Sequence, residues 1–172
     1  MRTWIGSIAA LAALMTATPS TSSSATASVA QEAVCETTWP APADTVRRAE
    51  AAFVPTYTAR PTAYRAESRL SIAVNGIPRR VPAGIGVDSD ADRVAAVTTE
   101  GCEGRVRVAA EGPIDVHLWQ LFAAWGVPLS QHCIGGTCNG EGVRIVLDGD
   151  RVEMCPGAIS IGDVSRIDLS ID

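Results

Sequence analysis

Leu70-Ser-Ile-Ala-Val-Asn-Gly-Ile-Pro-Arg-Arg-Val-Pro-Ala-Gly-Ile-Gly-Val87 is the stretch whose pattern decides the fold class. Leu70, Ile72 and Val74 alternate with Ser71 and Ala73, the period of a strand with one buried face. Asn75-Gly76 follows, and both central positions of a two-residue hairpin turn need positive φ, which Asn and Gly tolerate best. The return strand, from about Arg79 to Val87, contains Pro82, whose missing N–H confines it to a sheet edge or a bulge.

The pattern recurs later. Ile145-Val-Leu-Asp-Gly149 and Met154-Cys-Pro-Gly-Ala-Ile-Ser-Ile161 repeat strand, tight turn, Pro with small residues and a short apolar strand, with Cys155 as one inserted residue. Two copies are too few for a solenoid, so they read as two similar hairpins in one domain. Val143, Ile145 and Leu147 supply the second outgoing strand, and Arg151 to Met154 its return. Between the copies, Leu118, Leu121, Phe122 and Trp125 fall at i, i+3, i+4 and i+7, the stripe of a helix packed on a sheet. Asp115 is its candidate N-cap, and Gly126 and Pro128 end it. Val94 to Thr99 and Arg105 to Ala109 are further strands; in the second, Val106 and Val108 oppose Arg105 and Arg107, one face inward and one wet. Ile167, Leu169 and Ile171 form the last strand. The expected fold is α+β: a mostly antiparallel sheet with one main packing helix, β-grasp-like.

Outward from this core the chain divides into three. Arg2 and then Trp4 to Met15, uncharged and mostly apolar, read as the n- and h-regions of a signal peptide, with Ala25-Thr-Ala27 and Ser28-Val-Ala30 each placing small residues at a cleavage site. The run is too short to span a bilayer, so no transmembrane segment is expected once the leader is removed. The expected division is a leader over 1–27, a Ser/Thr/Ala/Pro-rich linker with a short helical or loop segment over 28–68, and a disulfide-bonded domain over 69–172. Within the linker, Asp44 could cap a short helix running to about Phe53, stopped by Pro55. The protein is thus read as secreted, facing an extracytoplasmic compartment.

Composition narrows the partners. Every one of the 14 Lys and Arg residues is Arg, the bias of a GC-rich genome, and the net charge is −5. A negative chain with dispersed Arg repels phosphate backbones, so nucleic acid is excluded as a partner class. An unknown envelope or extracellular partner fits better.

Five cysteines in an exported chain default to pairing, and at most two bridges form among them. Connectivity does not follow from sequence. The most chemically loaded segment is His132-Cys-Ile-Gly-Gly-Thr-Cys138, whose glycines let the backbone bring Cys133 and Cys138 together as a local structural disulfide. With that bridge, a second joins two of Cys35, Cys102 and Cys155; Cys102–Cys155 is preferred because both fall in the core domain. Two other readings use the same loop. Redox catalysis lacks the two-residue cysteine spacing at a helix N-terminus. A metal site would take His132, Cys133 and Cys138, helped by Cys155 or His117.

Other motifs are incomplete. Asp88-Ser-Asp-Ala-Asp92 has the alternating carboxylates of a calcium loop, but Arg93 and Thr99 stand where Gly and Glu are needed. Gly84-Ile-Gly86 lacks the third glycine and following helix of a dinucleotide site. No Gly-x-Ser-x-Gly elbow is present, and His117 reads as a rim residue beside the helix. No catalytic residue, cofactor or resident metal is assigned.

From about Leu70 onward the chain resembles a family of uncharacterised secreted or membrane-anchored actinobacterial proteins. The resemblance rests on Val74-Asn-Gly76 with Val81-Pro-Ala-Gly-Ile-Gly-Val87, Leu121-Phe-Ala-Ala-Trp-Gly-Val-Pro-Leu129, Cys133-Ile-Gly-Gly-Thr-Cys138 and Val143-Arg-Ile-Val-Leu-Asp-Gly149. It implies compartment more than activity. The family pattern has His-Thr-His-Asp before a strand, where this chain has Val97-Thr-Thr-Glu100, so a metal role carried by those histidines is not expected here. The functional expectation is a non-enzymatic extracytoplasmic binding or interaction module; the alternative is a metal- or thiol-active envelope protein using the 132–138 loop.

Overall fold

The computed structural model describes residues 37–172; the leader, most of the Ser/Thr tether and Cys35 lie outside the described residues. The chain from residue 37 belongs to the folded unit well before Arg69. Helix α1 (Thr45–Ala51) buries Val46 and Ala49, and Val54 after it joins the same core. Trp39 packs edge-on against Trp125 at 5.9 Å between ring centroids, and the Trp125 indole N–H donates to the Trp39 carbonyl. The expected short helix forms, but the expectation of a linker up to 68 is corrected for its described part: α1 packs beside the later helix and its apolar residues join the core. Asp44 does not cap α1 through its side chain; its carboxylate is taken by Arg47 and Arg48.

After α1 come β1 (Thr56–Tyr57) and the long strand β2 (Tyr64–Val74). The expected first hairpin forms, with β3 (Ile77–Arg79) returning beside the end of β2. Asn75 and Gly76 take φ of 52° and 68°, as the turn requires. The return strand is shorter than the expected 79–87, and its Pro78 sits at a sheet edge. Val94 to Thr99 is two strands, not one. β4 (Val87–Asp88) and β5 (Arg93–Ala95) join β1 in a small antiparallel sheet, whereas β6 (Val97–Glu100) pairs with β7 (Arg105–Ala110).

A short strand β8 (Val116–His117) leads into helix α2 (Leu118–Trp125). His117, not Asp115, is the residue before the helix, and its backbone N–H donates to the Gln120 side chain at 2.9 Å. Gln120 also donates to the Ala52 carbonyl, tying the start of α2 to the end of α1. Leu118, Leu121, Phe122 and Trp125 are buried, as their spacing predicts. Gly126 closes the helix in the left-handed conformation.

The 130–143 loop carries the small hairpin of β9 (Cys133–Ile134) and β10 (Thr137–Cys138). β11 (Arg144–Leu147) and β12 (Asp150–Val152) then form the second expected hairpin, turned at Asp148-Gly149. A 3-10 turn at Pro156–Ala158 leads to β13 (Ser160–Ile161), which pairs with β8, and the chain returns as β14 (Arg166–Ile171).

The main sheet has the order β12-β11-β14-β2-β7-β6, with β3 also beside β2. Every pairing in it is antiparallel except one: β14 lies parallel to β2, Arg166 opposite Arg69 through Ile171 opposite Val74. The α+β class and the mostly antiparallel sheet hold; the helical layer contains two helices. Leu70, Ile72, Val74, Val106, Val108, Ile145, Ile167, Leu169 and Ile171 join both helices in one apolar cluster. Burial of that cluster is the dominant stabilising term, at roughly 25 cal/mol per Å² of apolar surface removed from water.

Candidate functional site

The opposite face of the same strands is charged. Strand alternation puts Arg65, Glu67 and Arg69 of β2 on the outer side, while Ser68, Leu70, Ile72 and Val74 point inward. The register sets Glu67 opposite Arg107 and Arg69 opposite Arg105, with Thr98 and Glu100 of β6 completing the two rows. Arg60, from the loop before β2, folds over this face and donates to Thr98 Oγ1 at 3.2 Å and Glu100 Oε1 at 3.1 Å, both from Nη1.

The carboxylates are shared. Glu67 lies 3.1 Å from Arg107 Nε and 3.5 Å from Arg105 Nε; Glu100 lies 2.7 Å from Arg107 Nη1 and 3.1 Å from Arg60. Arg107 is held above the ordinary arginine value, first by its hydrogen bond with Glu67 and then by the charges of Glu100 and Glu67. Arg69 reaches Glu103 at 3.3 Å. The Arg65 side chain is exposed and, among the described residues, has no hydrogen bond or ion pair.

These side chains frame an open groove of about 460 Å³ lined by Arg60, Arg65, Glu67, Glu100 and Arg107; its floor is the outward-facing Ala109 and the backbone at Ala66 and Val108, whose side chains join the inner core. That size falls in the usual range of small-molecule sites, about 300–1,000 Å³. The view of Arg as dispersed is therefore corrected: Arg60, Arg65, Arg69, Arg105 and Arg107 gather against Glu67, Glu100 and Glu103. The face is locally positive on a chain of net charge −5.

The cysteine loop is built differently. Cys133 and Cys138 are bonded, with 4.1 Å between their Cα atoms, and stand directly opposite in the β9–β10 hairpin. Ile134 between them is fully buried, and Ser130, Gly135, Asn139 and Val143 donate to backbone carbonyls within the loop. A Cβ on Gly135 would fall 2.1 Å from the Trp39 ring, so the loop lies flat on the Trp39–Trp125 pair. The loop clamps the end of α2. His132 is exposed beside it.

The metal set of His132, Cys133, Cys138 and Cys155 is not brought together as ligands, because the bond between Cys133 and Cys138 consumes both thiolates. The expected Cys102–Cys155 pair is corrected as well. Cys102 is disulfide-bonded, whereas Cys155 is free and exposed. Cys102 lies in the turn between β6 and β7 at one edge of the main sheet, and Cys155 follows β12 at the other edge. His117 is at the start of α2, 3.5 Å from Asp115. Among the described residues no group of three or more His, Cys, Asp or Glu side chains is placed to hold a metal ion. The Asp88–Asp92 loop is an ordinary turn, with Asp88 accepting from the Ala91 N–H at 3.0 Å.

No family model, curated protein or solved structure matches this chain. Among the described residues no helix is long and apolar enough to cross a membrane.

Sequence reasoning named none of the groove residues as a site. The alternation of Arg105 and Arg107 with Val106 and Val108 was visible, and the same reading extended back along β2 would have exposed Arg65, Glu67 and Arg69. Arg60 had no signal, because a loop residue's reach over a sheet is set by tertiary structure alone.

Proposed function

We propose that this chain is a secreted, non-enzymatic binding module of the cell envelope, built on a β-grasp-like sheet, with the outer-face groove as its ligand seat. The groove carries this reading: a concavity of about 460 Å³ whose charged rim stands mostly on paired strands, with Arg60 reaching in from the loop before β2. Rims on rigid elements hold a ligand with little ordering cost.

A β-grasp fold consists of a hairpin, a crossing helix, a second hairpin and a last strand laid parallel beside the first. The order β3-β2-β14-β11-β12, with only β14 and β2 parallel, supports that assignment for the core. Residues 80–115 then form an insertion whose strands β6 and β7 extend the sheet and make the groove. The resemblance to secreted actinobacterial proteins and the Cys133–Cys138 bridge both favour an oxidising compartment.

The test is amide mapping by NMR on the full exported chain, against a panel of neutral, cationic and anionic small molecules and short peptides. Perturbations clustered on Arg65 to Glu67, Glu100 and Arg107 to Ala109 are expected. Perturbations confined to the 130–143 loop, or none on the outer face with any probe, would overturn the reading. The thiol- or metal-active alternative needs Cys133 and Cys138 reduced; intact mass with and without reduction, followed by alkylation, decides it.

A further inference from the structure

Resting on the reading of the groove as a ligand seat, we propose that its ligand is a small oxyanion, a carboxylate or phosphate group on a compact body, and that Arg65 receives the charge. The pairing pattern leads there. Glu67 and Glu100 are each held by two guanidiniums, Arg105 with Arg107 and Arg60 with Arg107. A cationic ligand would have to displace an arginine to reach either carboxylate. An anionic ligand displaces nothing.

Donors are in surplus on the same rim. A guanidinium carries five N–H donors in a planar fork matched to two-oxygen acceptors. Arg60 makes both its side-chain hydrogen bonds from Nη1, which leaves Nε and Nη2 without a side-chain partner. Arg107 uses Nε and Nη1. Arg65 uses none, so its whole fork is open to the groove. Three guanidiniums thus offer unspent donors around one concavity, with the outward-facing Ala109 methyl on its floor. An oxyanion head at Arg65 with a compact body against Ala109 uses both features.

Size and charge limit the class further. The groove's volume suits a single ring or short chain. The net charge of −5 opposes long polyanions, whose many charges lie beyond the local patch, but one or two negative charges seated at the groove meet the guanidiniums first.

The experiment is a titration of the oxidised full chain at low ionic strength with benzoate, phenyl phosphate and benzamide, read by calorimetry and by amide shifts. Benzoate or phenyl phosphate should saturate shifts at Ala66, Val108 and Ala109, with benzamide weaker by about tenfold or more, the size of one charge-assisted contact. Whichever anion binds tighter identifies the head group. Arg65→Ala should weaken the anion by about tenfold while leaving the rest of the spectrum unchanged, and Arg65→Lys should restore part of the loss. Equal binding of benzamide and benzoate, or an Arg65→Ala variant that binds as tightly as the parent, overturns the oxyanion assignment and leaves the groove as a seat for another class. Silence with all three probes also overturns the assignment; the broader reading falls only when the full ligand panel fails at this face too.

Discussion

Strand β2 has two faces that obey different rules. Its inward residues, Leu70, Ile72 and Val74, are almost fully buried against both helices. Its outward residues, Arg65, Glu67 and Arg69, stay in water and meet only other charges or nothing. On the inner face stability follows volume, because a deleted side chain leaves a cavity. On the outer face the ion pairs are half-exposed and screened, so each contributes little. A face that contributes little to stability can vary in its chemistry without unfolding the protein. That freedom is what a binding surface needs.

The contrast fails first, if it fails at all, at the seam between β7 and β2. Gly104 takes φ of 72°, and a Cβ there would lie 1.9 Å from the Leu70 carbonyl oxygen. Gly104→Ala should therefore cost more than about 3 kcal/mol, combining left-handed backbone strain with a main-chain clash. Chemical denaturation measures it, and a loss under 1 kcal/mol would mean the two strands are not as tightly joined as described. Next comes the inner layer itself. Leu121→Ala should cost about 2–5 kcal/mol in the same assay, since Leu121 is fully buried and its neighbours are fixed by the sheet.

The outer face should respond far less. Glu67→Gln keeps the shape and removes the charge shared by Arg105 and Arg107, and its cost should stay below about 1 kcal/mol and shrink further in high salt. A cost matching Leu121→Ala would erase the distinction between the faces. The smallest effect belongs to an exposed pair away from both. Asp44 is lowered from 3.8 to about 2 by hydrogen bonds from Arg47 and then Arg48. Because its folded value lies below its unfolded one, its contribution is complete above pH 3.8 and disappears as pH falls through about 2. An NMR titration of the Arg47 and Arg48 side chains should show that midpoint, with the groove resonances unaffected by it.

What could be seen in the sequence follows the same division. Asn75-Gly76 and Asp148-Gly149 fixed two hairpins because their backbone demands are local, and Leu118 to Trp125 fixed a helix because its stripe is unbroken. The placement of β14 beside β2 had no local signal: Ile167, Leu169 and Ile171 alternate equally well in either direction. Asp148 helps to set it, accepting from the Ser165 and Arg166 N–H groups with its carboxylate, a contact between turn and strand that only the folded chain brings about. Buried Thr99 was equally hidden. Its hydroxyl donates to the Pro82 carbonyl and accepts from the Ile85 N–H, so one polar atom settles in the core where its type alone argues for the surface.

The parallel seating of β14 also orders events in time. The Ser68 hydroxyl donates to the Val164 carbonyl across 96 positions, and the whole β2–β14 register spans a comparable distance. A chain emerging from the ribosome, or threading through a narrow pore, presents β2 long before its central neighbour arrives. The first hairpin, α2 and the second hairpin can each begin to form locally, but the gap between β2 and β11 stays open until Arg166–Ile171 is delivered. The β2–β14 pairing is thus the most non-local in the main sheet and carries its largest loop-closure cost.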